Sequence, residues 1–195
     1  MPTNPEPDEG NTPRDADERD GLIPTHITTQ GPLNEWEQAN ILEAEQWAFA
    51  RKRGDYLSMD FVFELHRRMF ANTWTWAGKT RTTERNIGVA VSEIRPNLLE
   101  LLRDTRYWIE HKTYDVDEIA ARFHHRLVQI HVFPNGNGRH ARLMADVILS
   151  NLGRSRFSWG SADLYRKGDA RERYLAALKE ADRSNMKPLF EFVRT

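Results

Sequence analysis

His131-Val132-Phe133-Pro134-Asn135-Gly136-Asn137-Gly138-Arg139-His140-Ala141-Arg142 is the stretch on which the reading of this chain turns. Before it, Ile119, Phe123, Leu127 and Ile130 recur near helical spacing; after it, a second helix runs from about Gly138 to Leu152, where Gly153 stops it. Between the two helices, a pair of glycines flanks an asparagine, a composition that favours positive φ and close backbone approach. Successive N–H groups at a helix N-terminus make a concavity for an anion. Arg139 and Arg142 stand three residues apart and share a helix face, and two guanidinium forks beside an anion nest suit a polyphosphate. His131, at the opposite end of the loop, can accept a proton near neutral pH. One loop therefore combines a base, a phosphate cradle at Gly136, Asn137 and Gly138, and two charge clamps.

Outward from this loop the pattern stays helical. Asn34 with Glu37 reads as a capping box opening a helix that carries Trp36, Leu42 and Trp47, runs into Arg51, Lys52 and Arg53, and ends at Gly54. Ser58 opens a second helix through Phe61, Leu65 and Met69, and Pro96 suits the first turn of a third with Leu98, Leu99, Leu102 and Trp108. Asp115 with Glu118 starts the helix that leads to His131. Asp169 caps a helix carrying Tyr174, Leu175 and Leu178, and a short last helix follows Pro188. Residues 80–92 break the pattern. They hold Thr, Ile and Val around Asn86, Ile87 and Gly88 without helical period, which predicts a short β-hairpin in an otherwise α architecture.

Composition bounds the rest. The 195 residues suffice for one domain with an arm, and six Trp and nine Phe supply core bulk. The absence of cysteine excludes disulfides, thiol catalysis and cysteine-held zinc. No apolar run is long enough to cross a bilayer and the N-terminus has no export pattern, so a cytoplasmic protein without membrane contact is expected. Residues 1–21 are polar and Pro-rich, with seven acids and two arginines in the first twenty, and read as a disordered or loosely docked acidic arm ahead of a domain over 22–195. The body carries the compensating small positive excess. That suits an anionic small molecule but is too weak a bias to argue for nucleic acid. Five of the seven histidines lie between His111 and His140, yet their spacing lacks ligand pairs, so His124, His125 and His140 are expected to be packed or solvent-facing.

The motif resembles the signature of the Fic (Fido) family, His-x-Phe-x-(Asp/Glu)-Gly-Asn-Gly-Arg-x-x-Arg, matching at His131, Phe133, Gly136, Asn137, Gly138, Arg139 and Arg142. Trp76-Ala77-Gly78-Lys79-Thr80-Arg81 resembles the segment that precedes the Fic hairpin, and Tyr174 through Pro188 and Leu189 resembles the closing helices. The Gly-Leu-Ile-Pro-Thr-x-Ile-Thr-Thr-x-Gly opening at 21–31, Asn135, and Ser158-Trp159-Gly160 look like the subfamily called mobile mystery protein B. The resemblance implies a mainly α, Fic-type helical bundle with a central helix-loop-helix active site and a small β-hairpin flap. It implies a protein adenylyltransferase moving AMP from ATP to a Ser, Thr or Tyr hydroxyl. His131 would be its base, and Asn135, Gly136, Asn137, Gly138, Arg139 and Arg142 would hold phosphates. The flap, centred on Asn86, Ile87, Gly88 and Val89, would dock the target, and Phe133 would anchor the loop in the core. Where most active relatives have a carboxylate that holds Mg2+, this chain has Asn135, a neutral and weaker ligand, so the metal would ride mainly on the nucleotide. Two alternatives follow from that departure: a nucleotide-binding interaction or regulatory protein with little activity, or a transferase with another nucleotide donor. The family's inhibitory Ser/Thr-x-x-x-Glu-(Gly/Asn) motif is matched only by Thr80 with Glu84, followed by Arg85 inside the expected flap. Restraint is therefore expected in trans, as in a toxin–antitoxin pair.

Overall fold

Apolar residues buried along the helices, too many to remain in water, favour a bundle. The computed structural model describes residues 21–24, 26–27, 29–50, 55–161, 164 and 168–195. Its helices are α1 (Gln30–Phe49), α2 (Met59–Phe70), α3 (Ile94–His111), α4 (Val116–Ile130), α5 (Asn137–Asn151), α6 (Asp169–Asp182) and α7 (Lys187–Phe192). α4 lies against α5, α1 against α2, α3 against α4 and α6 against α7. Ile119, Phe123, Leu127 and Ile130 are all buried, as their spacing predicts, and meet Met144, Val147 and Ile148 of α5 in the same core. Each such side chain contributes about 1.5–3 kcal/mol on leaving water. The α4–α5 pair is thus held rigidly, and with it the loop that joins them.

Several helix starts follow local chemistry. Ser58 caps α2, its hydroxyl accepting from the Phe61 N–H at 3.1 Å. Asp115 is the N-cap of α4, although its side chain makes no capping bond. Others shift. α1 begins at Gln30 after an extended Thr29, four residues before Asn34, because Pro32 is tolerated in a first turn. α6 starts at Asp169 itself, with Gly168 as N-cap. α1 ends at Phe49, short of the expected end at Gly54, and of the acidic arm expected over 1–21 only Gly21 is among the described residues. Gly21 is buried, and its carbonyl accepts from the Thr75 N–H at 2.9 Å.

The β-hairpin expected over 80–92 is not formed. Among the described residues there is no strand, only one isolated antiparallel bridge between Leu22 and Trp74. The physical reason is the destination of the segment's backbone groups. The Thr83 and Val89 carbonyls accept from the Arg81 guanidinium, and the Val91 N–H donates to the Glu84 carboxylate at 2.9 Å. Side chains satisfy what a cross-strand ladder would have satisfied, and residues 80–90 cross the bundle as an irregular loop before the short 3-10 turn at Val91–Glu93.

Candidate active site

The loop between α4 and α5 is shaped by two left-handed residues. His131 caps α4 with φ of 54°, and Gly136 opens α5 with φ of 77°. Only glycine fits at 136, since a Cβ there would stand 2.7 Å from the Phe70 ring. Phe133 is fully buried, stacked on His66 at 3.6 Å and edge-on to Phe63 and His140. The buried Asn137 side chain ties the loop to itself. Its Oδ1 accepts from the Phe133 N–H at 2.9 Å, and its Nδ2 donates to the Phe133 carbonyl at 2.8 Å. The Asn137 side chain is therefore spent on the loop itself, and the N–H groups of Asn137, Gly138 and Arg139 lie in the first turn of α5, before His140 N bonds the Gly136 carbonyl.

His66 of α2 joins two loops. The Gly78 N–H donates to its Nδ1 at 2.9 Å, which places the ring proton on Nε2, 3.0 Å from the Asn135 carbonyl it donates to. Complete burial holds its imidazole well below the usual histidine range. The Asn135 side chain accepts from the Gly136 N–H at 2.7 Å. Asn135 is thus one neutral oxygen, already engaged, and among the described residues no cluster of three His, Asp or Glu could hold a metal ion. These residues do not fit a magnesium held by the protein.

The two arginines stand differently. Arg139 lies over the Phe70 ring at 4.7 Å and pairs with Glu37 of α1 at 2.5 Å; the buried Glu37 carboxylate also accepts from the Trp74 indole at 2.6 Å. Arg142 lies over the Tyr174 ring at 5.6 Å, and the Tyr174 hydroxyl shares a 3.0 Å hydrogen bond with His124 Nε2. A Cβ at Gly138 would be 3.8 Å from Arg142 Nη1 and 4.0 Å from the Tyr174 oxygen, so its absence leaves room between the first-turn amides and that guanidinium.

His131 faces the loop over 80–90. Its residue is 5% exposed, and burial, then the positive charges of Arg81 and Arg85, push its imidazole down to about 4. It is therefore neutral at pH 7. Gly88, with φ of 94°, crosses directly above it: a Cβ there would meet the His131 Cβ at 2.7 Å. Asn86 and Gly88 are exposed, Val89 is half-buried, and Ile87, next to Gly88, keeps 46% exposure. The structure thus brings together His131, Gly136, Asn137, Gly138, Arg139, Arg142 and the crossing loop. Sequence reasoning missed Glu37, taken for a cap; it also missed His66, the Tyr174–His124 pair and the role of Arg81. The last was within reach, because an arginine beside the β-prone run had no partner in the pattern.

The model of the Fic/DOC family matches residues 56–149. A protein adenylyltransferase named fic-1 from Caenorhabditis elegans is 32% identical over 146 residues, covering 73% of this chain and 27% of that protein. A protein adenylyltransferase Fic from Aedes aegypti is 24% identical over 95% of this chain and 37% of its own length. This chain thus spans only 27% to 37% of the length of these relatives. The solved Fic-1 fragment from Caenorhabditis elegans superposes with a TM-score of 0.61 at 27% identity, covering 81% of this chain and 45% of that one. BepC from Bartonella tribocorum, solved with bound AMPPNP, gives a TM-score of 0.71 at 18% identity over 92% and 97% of the two chains, a likeness of fold.

Proposed function

The chain belongs to the Fic/DOC family, and from that premise we propose that it is a protein adenylyltransferase that moves AMP from ATP to a Ser, Thr or Tyr hydroxyl of a target protein. The observation that carries this reading is that a neutral His131 and the first turn of α5 stand at the two ends of one loop. His131 takes the proton of the acceptor hydroxyl. The oxygen attacks the α-phosphate, an O–P bond forms, the bond to the β-phosphate breaks, and pyrophosphate leaves with its charge facing Arg139 and Arg142. The first-turn amides of Asn137, Gly138 and Arg139 hold phosphate oxygens, so the protein's contribution is positioning and fixed dipoles. A proton affinity as low as that of His131 alone makes a weak base. An anionic triphosphate brought beside it raises that affinity toward the working pH.

The exposed residues Asn86, Ile87, Gly88 and Val89 are where a target segment would contact the loop above the base, through side chains and loop backbone. Partners are the target protein and an inhibitor acting in trans. Cytosolic residence and membership of the mobile mystery protein B subfamily are parts of the same proposal, the latter resting on residues 21–31 and Asn135. No helix among the described residues is long and apolar enough to cross a membrane. One observation favours a second reading, a Fic-fold nucleotide-binding protein of little turnover or with another donor: Asn135 brings no charged oxygen to the phosphates.

The test is incubation with α-labelled ATP, GTP, CTP or UTP and a cytosolic lysate, with His131→Ala as control. Label transferred to protein from ATP by the wild type, and lost in a folded His131→Ala variant that still binds nucleotide, is the expected result. Equal labelling by both proteins would falsify the base assignment. Binding without transfer of any nucleotide favours the second reading.

A further inference from the structure

Arg81 is the largest fully buried side chain among the described residues. Among them, the acid near its guanidinium is Glu84, at 3.8 Å and two-thirds exposed. Carbonyl dipoles surround the cation instead. Nε donates to the His131 carbonyl at 2.7 Å, Nη1 to Thr83 O at 3.0 Å, and Nη2 to Val89 O, while the Arg81 backbone N–H donates to Val132 O at 3.0 Å. The atoms above the base are close: one point, the missing Cβ of Gly88, lies 2.9 Å from Arg81 Nη2 and 2.7 Å from the His131 Cβ.

Three consequences follow. The His131 carbonyl is the cap of α4, one of the four that no helical N–H can reach, and Arg81 supplies its donor. The same fork ties both ends of the 83–89 loop to that carbonyl, so loop and base move as one body. Third, a helix C-terminus ordinarily strengthens an imidazole's hold on its proton, and here a buried cation, paired only loosely with the exposed Glu84 carboxylate at 3.8 Å, stands at that terminus. We infer that Arg81 is the positioning residue for His131, fixing the base's backbone to the loop that crosses it and placing a permanent positive charge beside its ring. This rests on the reading of His131 as the general base.

The charges that act on His131 from the two packed segments agree. From the loop come Arg81 and Arg85, both positive, with exposed Glu84 screened by water; the motif stretch from Val132 to Gly136 carries no charge. Removing the Arg81 charge therefore raises the proton affinity of His131, with Arg85 limiting the rise. A lysine keeps the charge, but a single ammonium cannot reproduce a planar fork aimed at three carbonyls.

The experiment reads the histidine ring directly and needs no substrate. Side-chain NMR titration of His131, assigned by loss of its signal in His131→Gln, is run on wild type, Arg81→Lys and Arg81→Gln, with amide hydrogen exchange over residues 83–89. In Arg81→Gln the proton affinity of His131 is expected to rise roughly tenfold. In Arg81→Lys it stays near the wild-type value while loop exchange accelerates at least tenfold. A folded Arg81→Gln protein with unchanged His131 titration overturns the inference. If Arg81→Gln does not fold, Arg81→Lys decides: loop protection equal to wild type overturns it, and faster exchange with unchanged titration upholds it. Because neither readout is catalysis, a protein that transfers no nucleotide fails the proposed function while leaving this result standing or falling by itself.

Discussion

At the scale of single residues, the site divides into side chains that face a ligand and side chains that hold the loop, and the motif alone does not tell them apart. Asn137 is the clearest instance. Its place in the motif suggests a phosphate contact, while its amide closes a ring with Phe133. Arg142 is the counter-instance: it stands one turn beyond the first-turn amides, against Tyr174, where the proposed function puts the distal end of a triphosphate. Arg142→Ala is expected to weaken ATP binding about tenfold to hundredfold, the worth of a charge-assisted hydrogen bond, and AMP binding little. Calorimetry with both nucleotides checks this; equal losses count against the assignment. Asn135 invites the opposite change. Its Oδ1 already accepts from the Gly136 N–H, and an aspartate keeps that bond while its second oxygen replaces the amide nitrogen with a charged ligand. Asn135→Asp is therefore expected to lower the magnesium concentration that supports transfer and to raise the rate by about tenfold or more. A magnesium titration with each nucleotide checks it, and an unchanged response with loss of activity on ATP points to another donor.

At the scale of elements, the α4–loop–α5 unit depends on a few buried polar bonds. Asn137→Ala leaves the Phe133 N–H and carbonyl without their partner inside the core, and is expected to destabilise the fold by on the order of 2–4 kcal/mol. Urea unfolding with an unchanged slope reads this as loss of stability. A loss below about 1 kcal/mol would show that the loop keeps its shape by packing alone. This unit was the most legible part of the sequence, because helical period and glycine punctuation both report local geometry. The hairpin was misread for the converse reason. Thr, Ile and Val around Asn86 and Gly88 fit a strand locally, and what decides their conformation is Arg81, which takes the Thr83 and Val89 carbonyls together with that of His131, fifty residues away. Glu37 shows the same limit. Its spacing from Asn34 describes a cap, and only the assembled bundle reveals Arg139, 102 residues on, as its partner.

At the scale of the whole molecule, the buried histidines set a dependence on pH that no single element shows. His66 is held well below the usual range, His124 and His140 at about 3, and His131 at about 4. Burial is the first cause for each. These folded-state values are depressed, so the unfolded chain binds the protons first. The stability they contribute is complete above about pH 6.5 and is lost as pH falls toward the folded values. Asp146 works against them. Burial raises its carboxyl to about 6, even with Arg156, the Phe157 N–H and the Trp159 indole beside it. Between about pH 6 and 4 the folded protein therefore holds one proton that the unfolded chain lacks. Four against one leaves the histidines in control, and stability falls by a few kcal/mol per pH unit across that window, an order-of-magnitude slope from proton linkage. Thermal unfolding from pH 8 to pH 4 is expected to show a nearly flat melting temperature down to about 6.5 and a steep decline below it. His140→Gln, which keeps a donor for the Val62 carbonyl that His140 bonds at 2.9 Å, should make that decline shallower. A melting temperature as flat below pH 6 as above it would mean that these imidazoles are reached by protons in the folded state, and that the packing around Phe133 opens far more readily than its burial implies.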